Sequence, residues 1–348
     1  MGGKVIKKVK VSRFNKETYE QTKLEIINKF SQYLNLDFPI DIPNKETFGD
    51  LDILYTFIIP NINVIQLIKS IYNPVEIVSN GDVISFAYQL ESEYYQVDFI
   101  KCKNIYMNKF YFSYGDLGAI IGRMTKYYGW TFGSDGLWIN VYPDTVDKFL
   151  NITNFTNKFI DKIDTTWNLG SVFLSDNPQK ICDFLDLDYN KWIEGFLSNE
   201  EIFDWVKKSK YFSSNIYKSL NYVHRRRALL RPFYQDFIIS IFGEVEFSTA
   251  SESEIYSNLQ LEALEYFQKF PELKILIDKY FKNLELKEKF NGNLLLELKV
   301  VENKEELGNW IKKFKLTIQT KYSIEFENWL DSNTKEKIIN EIIDYNII

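Results

Sequence analysis

The chain has 348 residues, enough for two domains of ordinary size, with 45% hydrophobic and 17% aromatic residues to fill their cores. Its 48 acidic residues outnumber its 42 basic ones, and the net charge of -6 excludes a surface built throughout to hold polyanions. Fifteen Gly and eight Pro exclude a low-complexity chain, while two cysteines, Cys102 and Cys182, exclude a disulfide scaffold and point to a reducing compartment.

The N-terminus reads MGGKVIKKVK and lacks the apolar core of a secretory signal. Ile6 stands where a myristoylation signal carries Ser or Thr, and no apolar run approaches membrane-spanning length. The expected setting is intracellular, cytoplasmic or nuclear, so the sequons at Asn151 and Asn154 read as chance.

In chain order, residues 16–34 predict an amphipathic helix, and Leu51, Ile53 and Tyr55 alternate with Asp50 and Asp52 as in a strand. Residues 61–72 predict a second helix, and Ser79-Asn80-Gly81-Asp82 a turn between strands. Tyr95, Val97 and Phe99 alternate with Gln96 and Asp98 in a further strand. A helix is expected from an Asp116 cap to about Gly129. Beyond Asp144 the apolar period is helical almost throughout, with helices opening at Asn177-Pro178 and running over 199–209, 252–270 and 304–319. The fold class predicted is therefore α+β followed by all-α, with domains at 1–145 and 146–348.

Chemistry concentrates in Lys45-Glu46-Thr47-Phe48-Gly49-Asp50-Leu51-Asp52-Ile53-Leu54. In a strand, residues two apart face the same way, so Asp50 and Asp52 project together. Two such carboxylates repel unless a cation lies between them, and hard Mg²⁺ or Mn²⁺ matches oxygen ligands. Asp98 offers a third acid on a neighbouring strand, and three such acids suit two-metal phosphoryl or nucleotidyl transfer. The bland alternative makes Gly49-Asp50 a turn and Asp52 the solvent face of an edge strand.

Gly-Asp-Leu-Asp-Ile-Leu after Lys-Glu-Thr, followed by an apolar-Asp-apolar strand, resembles the nucleotidyltransferase superfamily, most closely the family X, DNA polymerase beta-like enzymes. Tyr111-Phe112-Ser113-Tyr114-Gly115-Asp116 follows the third acid, where the family carries Tyr-Phe-Thr-Gly-Ser-Asp, and Arg123 lies at the family's spacing from Phe112. Gly136-Leu137 also fits, and the likeness covers about residues 39–140.

The resemblance implies a polymerase beta-like palm in which Asp50, Asp52 and Asp98 bind Mg²⁺ or Mn²⁺ and Asp98 lies near an attacking 3′-hydroxyl. It further implies an NTP or dNTP substrate, with Tyr111 and Phe112 along its sugar and Asp116 against its base; Lys45, the nearest cation, and Gly49 are candidates to meet its phosphates. Arg123 would face a template strand or its substitute. Two departures stand beside these matches. The family's Gly-Ser, whose backbone approaches the triphosphate, falls on Pro39 and Ile40, and an Arg that touches phosphate falls on Pro43. No N-terminal helix-hairpin-helix module is visible.

Gly118 and Gly122, one turn apart, bare one helix face, either for a nucleotide or for close helix packing. Residues 207–231 hold Lys207, Lys208, Lys210, Lys218, Arg225, Arg226, Arg227 and Arg231 with no acid, a segment of +8 in a remainder of -14. Tyr211, Phe212, Tyr217 and Tyr222 interleave with these cations, a pattern that suits nucleic acid, RNA or DNA. The acidic stretch 183–204 offers a competing role, an internal salt-bridge layer. His224, the sole histidine, reads as packed rather than as a base, and Trp192, Trp205, Trp310 and Trp329 read as core. The expected function is nucleotidyl transfer to a nucleic-acid 3′ end. The alternatives are a catalytically inactive nucleotidyltransferase-like scaffold or nucleic-acid-binding subunit, and transfer to a protein or small molecule; a protein partner is also open.

Overall fold

The computed structural model describes residues 5–151, 169–218, 222–244, 257–301 and 304–347. These divide into two compact units, Met1–Lys269 and Phe270–Ile348. The sequon at Asn154, the start of the helix expected at 252, and positions 219–221 of the basic segment lie outside the described residues.

The first unit begins with β1 (Phe14–Asn15), α1 (Lys16–Phe30), β2 (Leu34–Asp37), β3 (Thr47–Phe48) and β4 (Leu51–Phe57). The helix predicted over 16–34 stops at Phe30, and Leu34–Asp37 instead forms the strand β2. Next come α2 (Val64–Tyr72), β5 (Ile77–Asn80), β6 (Val83–Leu90) and β7 (Glu93–Lys101). Asn15 and Asn63 cap α1 and α2 by accepting from the Thr18 and Gln66 N–H groups. The larger sheet has five strands in the order β2-β4-β7-β6-β5, with β4 and β7 parallel.

The sheet is covered on both sides, which explains its apolar strands. Leu51, Ile53 and Tyr55 of β4 cluster with Val97 and Phe99 of β7, Ile26 and Phe30 of α1 and Ile68 of α2. On the opposite face Leu54 and Ile100 pack with Cys102 and Ile105. Asp52 and Asp98 alternate with the first set and so share the face of Leu54 and Ile100.

Next follow α3 (Ile105–Phe112), α4 (Leu117–Tyr127), β8 (Trp130–Gly133), β9 (Gly136–Val141), α5 (Pro143–Leu150) and β10 (Gly170–Ser175). Strands β10, β9 and β8 form a second, antiparallel sheet of three strands. Gly136 has φ of +124°, and a Cβ there would stand 2.4 Å from the Ser175 carbonyl, so glycine lets β10 close on the hairpin. This pairing corrects the expected division near residue 145: the second sheet draws strands from both sides of it. The region beyond 145 is accordingly not all helix.

Helices complete the unit: α6 (Pro178–Leu185), α7 (Tyr189–Glu194), α8 (Asn199–Lys207), α9 (Asn215–Lys218), α10 (Tyr222–Leu230), α11 (Pro232–Phe242) and α12 (Ser257–Tyr266). Asn177 and Pro178 open α6 as cap and first residue. The second unit is helical throughout its described residues, with α13 (Phe270–Lys289), α14 (Gly292–Glu297), α15 (Lys304–Tyr322), α16 (Phe326–Ser332) and α17 (Lys335–Ile347). Phe314, Phe326, Trp329, Ile338 and Ile342 form its core. Trp192, Trp205 and Trp329 are buried and Trp310 packs on that core, as their amphipathic spacing implies. Among the described residues no helix is long and apolar enough to cross a membrane.

Candidate active site

Parallel pairing of β4 with β7 sets Asp52 opposite Asp98. Asp50 immediately precedes β4, after a short strand pinned by Phe14↔Phe48 and Asn15↔Thr47 pairing between β1 and β3. Phe48 also stacks on Tyr19 of α1 at 3.8 Å, which fixes the approach to Asp50 from the helix side. The three carboxylates can each offer one oxygen within 4.8 Å of the others. The acids proposed as ligands from their spacing are thus brought together, and the edge-strand alternative for Asp52 falls, since β4 lies between β2 and β7.

Charges at such separations repel by about 3–4 kcal/mol per pair at an effective dielectric of roughly 20. Burial first, then Asp50 and Asp98, hold the Asp52 carboxyl well above the usual range, with Lys45 opposing them. Asp98 is pushed up to about 6, chiefly by burial and with a contribution from Asp50, against hydrogen bonds from Ser85 and Gln96. Gln96 is buried, and its Nε2 donates to both Asp98 oxygens at 3.0 Å. Ser85 sits opposite Asp98 on β6.

The nearest cation does not neutralise the cluster. Lys45 lies 2.6 Å from Asp41 and 4.5 Å from the Phe48 ring centroid. Asp41 is also 4.0 Å from Lys23. Tyr19 has its hydroxyl pKa raised by burial, by Asp41 and by Asp52, so a neutral phenol closes this side. Gln96, Ser85, Asp41 and Tyr19 were not singled out in the sequence, although Gln96 was legible in principle, two residues before Asp98 on the same strand face.

The segment at the family's Gly-Ser position is tethered inward. Ile40 N–H donates to Ser113 Oγ at 2.9 Å, and its carbonyl accepts from Tyr114 N–H at 2.6 Å. Pro39 has no N–H, so neither residue offers an amide to a phosphate. Lys109 anchors the same region through Asp37 at 2.8 Å. Gly49 directly precedes Asp50, and Tyr111 and Phe112 end α3 with ring centroids 5.1 Å apart.

Asp116 occupies the expected cap position of α4, but its side chain makes no cap bond. Its carboxylate is 6% exposed and accepts from Arg227 at 2.9 Å and Arg231 at 2.6 Å. Arg123, expected at a template, is 6% exposed, and its Nε donates to the Ile216 carbonyl at 3.0 Å. An inward guanidinium so placed serves packing, which corrects the surface role read from the resemblance.

Much of the basic segment is spent internally as well. Lys207 lies 3.5 Å from Asp204, and Lys210 lies 3.1 Å from Glu262. Lys208 lines a cleft of about 720 Å³ with Asp183, Asp186, Asp188 and Asp204. Tyr211 and Tyr217 are buried and cannot be stacking platforms. Arg226 is exposed, and Arg225 is half-buried. Gly118 serves packing, because a Cβ there would stand 2.2 Å from the Tyr111 carbonyl.

No protein-family model matches the chain, and no curated protein matches it. Among solved structures, it is similar to a DNA polymerase beta of Leishmania infantum in a ternary gap complex. The two share 11% identity over 51% of this chain and 69% of that chain, with a TM-score of 0.36. A likeness of that size assigns no family.

Proposed function

We propose that the chain is a nucleotidyltransferase that moves a nucleoside monophosphate from an NTP or dNTP to a nucleic-acid 3′ end. The observation that carries this reading is the meeting of Asp50, Asp52 and Asp98 on one side of β4 and β7. Its sequence support is the Gly-Asp-Leu-Asp motif with the later Asp98 strand.

The donor set fits Mg²⁺ or Mn²⁺: three hard carboxylates, two of them with raised proton affinity, and the nearest lysine turned to Asp41. Asp50, Asp52 and Asp98 would hold the ions, which when bound supply charge neutralisation and polarise phosphoryl oxygens. In the reaction, the acceptor hydroxyl oxygen attacks the α-phosphorus and forms the new P–O bond. The bond from that phosphorus to the oxygen bridging the β-phosphate breaks, and pyrophosphate leaves with the electron pair. Asp98 would take the hydroxyl proton directly or through water. Gln96 holds the Asp98 carboxylate in place for that step.

A second reading, a non-catalytic scaffold or binding subunit, is favoured by Pro39 and by the inward Ile40 amide. Incubation with radiolabelled NTPs or dNTPs, Mg²⁺ or Mn²⁺, and DNA, RNA or no nucleic acid separates the readings. Strand extension that Asp50→Ala abolishes supports the polymerase-type transfer. Label on protein or a small molecule changes the acceptor, and no transfer under any condition favours the scaffold.

A further inference from the structure

A strap of chain, Val5 to Ser12, precedes β1 and is held to the five-stranded sheet by long-range hydrogen bonds. At its far end the Ser12 N–H donates to the Tyr94 carbonyl at 2.7 Å, beside a parallel bridge between Val11 and Tyr94. In its middle the consecutive Lys7 and Lys8 N–H groups both donate to one Glu76 carboxylate oxygen, at 2.8 and 2.6 Å. At its start the Val5 N–H donates to Gln96 Oε1 at 3.0 Å. Ile6, between these last two ties, is 5% exposed and so anchors the strap by burial.

The ties at Gln96 and Glu76 lie in one row across the sheet. Gln96 of β7 pairs with Ala87 of β6, and the Ala87 N–H donates to the Glu76 carbonyl at the entry to the edge strand β5. Two strand spacings amount to about 9.6 Å, and the extended chain from Val5 to Lys8 spans about 10 Å. The strap therefore fits the width from β7 to the edge of the sheet with little slack. Gln96 shares its strand face with Asp98, and the cross-strand neighbours on that face, Ser85 and Ala87, are small and buried. The large side chains of β6, Phe86 and Tyr88, belong to the core on the opposite face. The strap thus crosses a tract of small side chains beside the carboxylates, with its first amide on the residue that touches Asp98.

We propose that this strap is a positioning device: the Val5 N–H fixes the Gln96 side chain so that its Nε2 faces Asp98. A carboxamide has a donor end and an acceptor end of nearly equal size, and reversed it would set Oε1 against the Asp98 oxygens. Asp98 selects the donor end by itself only while its charge is uncompensated. A cation in the cluster weakens that selection, and the Val5 donor, tied to Oε1, then keeps Nε2 in place. Glu76 acts through the strap, holding Val5 within reach from the edge of the sheet. As an influence on metal binding this rests on the proposed role of the three acids, whereas the orientation of Asp98 does not.

Val5→Pro removes this one N–H and leaves the other ties of the strap in place. The first readout is the side-chain amide signal of Gln96 in the full chain, labelled with ¹⁵N at its glutamines, in EDTA. That signal, identified by its loss in Gln96→Leu, should shift in Val5→Pro. It should shift less in Glu76→Ala and return in Glu76→Gln, which keeps an acceptor. The second readout is Mn²⁺ affinity by electron paramagnetic resonance, which should fall about fivefold in Val5→Pro and no further when Val5→Pro is added to Gln96→Leu. If Val5→Pro does not fold, Glu76→Ala decides. An unmoved Gln96 signal in the folded variants overturns the strap, whether or not the protein binds Mn²⁺. So does an equal loss of affinity in the parent and Gln96→Leu backgrounds, since that loss would bypass Gln96. A moved signal in a parent chain that binds no Mn²⁺ supports the strap and sinks only the role of the acids as metal ligands.

Discussion

The Nε2 of Gln96 donates to both carboxylate oxygens of Asp98 at 3.0 Å each, while its Oε1 accepts the Val5 N–H at 3.0 Å. A neutral amide therefore orients the third acid of the cluster without cancelling its charge, and the N-terminal segment fixes the amide in turn. Outer hydrogen bonds to a ligating carboxylate typically govern about 10–100-fold of metal affinity. Gln96→Leu keeps the volume and removes the donor, so Mn²⁺ affinity should fall by about tenfold. Titration of Mn²⁺ followed by electron paramagnetic resonance reads this, and unchanged affinity would sink the positioning role. Because the variant also leaves the part-buried Val5 N–H without its acceptor, a stability loss of about 1 kcal/mol should accompany it.

The raised Asp98 pKa makes the metal-free protein's stability depend on pH. A carboxyl with pKa near 6 in the fold and 3.8 in the unfolded chain binds more protons when folded. Its penalty is therefore absent below about pH 4, grows as pH rises toward 6, and is fully present at neutral pH. The difference corresponds to about 3 kcal/mol, and Asp52 acts in the same direction. In EDTA, Asp98→Asn should be more stable than the parent chain at pH 7.5 and should lose that advantage by about pH 4. Urea midpoints across this range measure the difference directly. An advantage independent of pH would contradict the electrostatic account.

The two glycines of α4 should respond in opposite directions to the same substitution. Gly118→Ala puts a methyl 2.2 Å from a backbone oxygen that cannot rotate away, and should destabilise by about 1–3 kcal/mol. Gly122→Ala meets only an ordinary contact and should gain about 0.5–1 kcal/mol from helix preference. Thermal unfolding of the pair checks this, and equal signs would refute the assignment of Gly118 to packing and Gly122 to open space.

What was legible in the sequence was local. Alternation around Asp50, Leu51, Asp52 and Ile53 read correctly as a strand because β4 is buried on both faces between β2 and β7. That Asp98 could join Asp50 and Asp52 followed from its alternation and was strengthened by the resemblance, but its register opposite Asp52 did not, since parallel register is set by the intervening elements and not by either strand. β10 escaped notice because six residues between helical patterns give too short a window, and its reason for being a strand is β9. Arg227 looked free for nucleic acid because its partner Asp116 lies 111 residues away, beyond any local periodicity. Charge counts recorded the excess of cations in that segment without showing where each one was spent.

That long-range pairing makes a test of its own. Asp116 is nearly buried and joins α4 to Arg227, on α10, and to Arg231, which precedes α11. Asp116→Ala removes the acceptor from both guanidiniums and should destabilise the first unit by about 2–4 kcal/mol. Arg227→Ala and Arg231→Ala each leave one partner in place, and their half-exposed side chains should make each loss smaller, about 1 kcal/mol. In a double-mutant cycle, Asp116→Ala should largely erase the effect of either arginine substitution. Additive losses in urea unfolding would mean that the arginines act elsewhere, and the junction of α4, α10 and α11 would then rest on its apolar contacts alone.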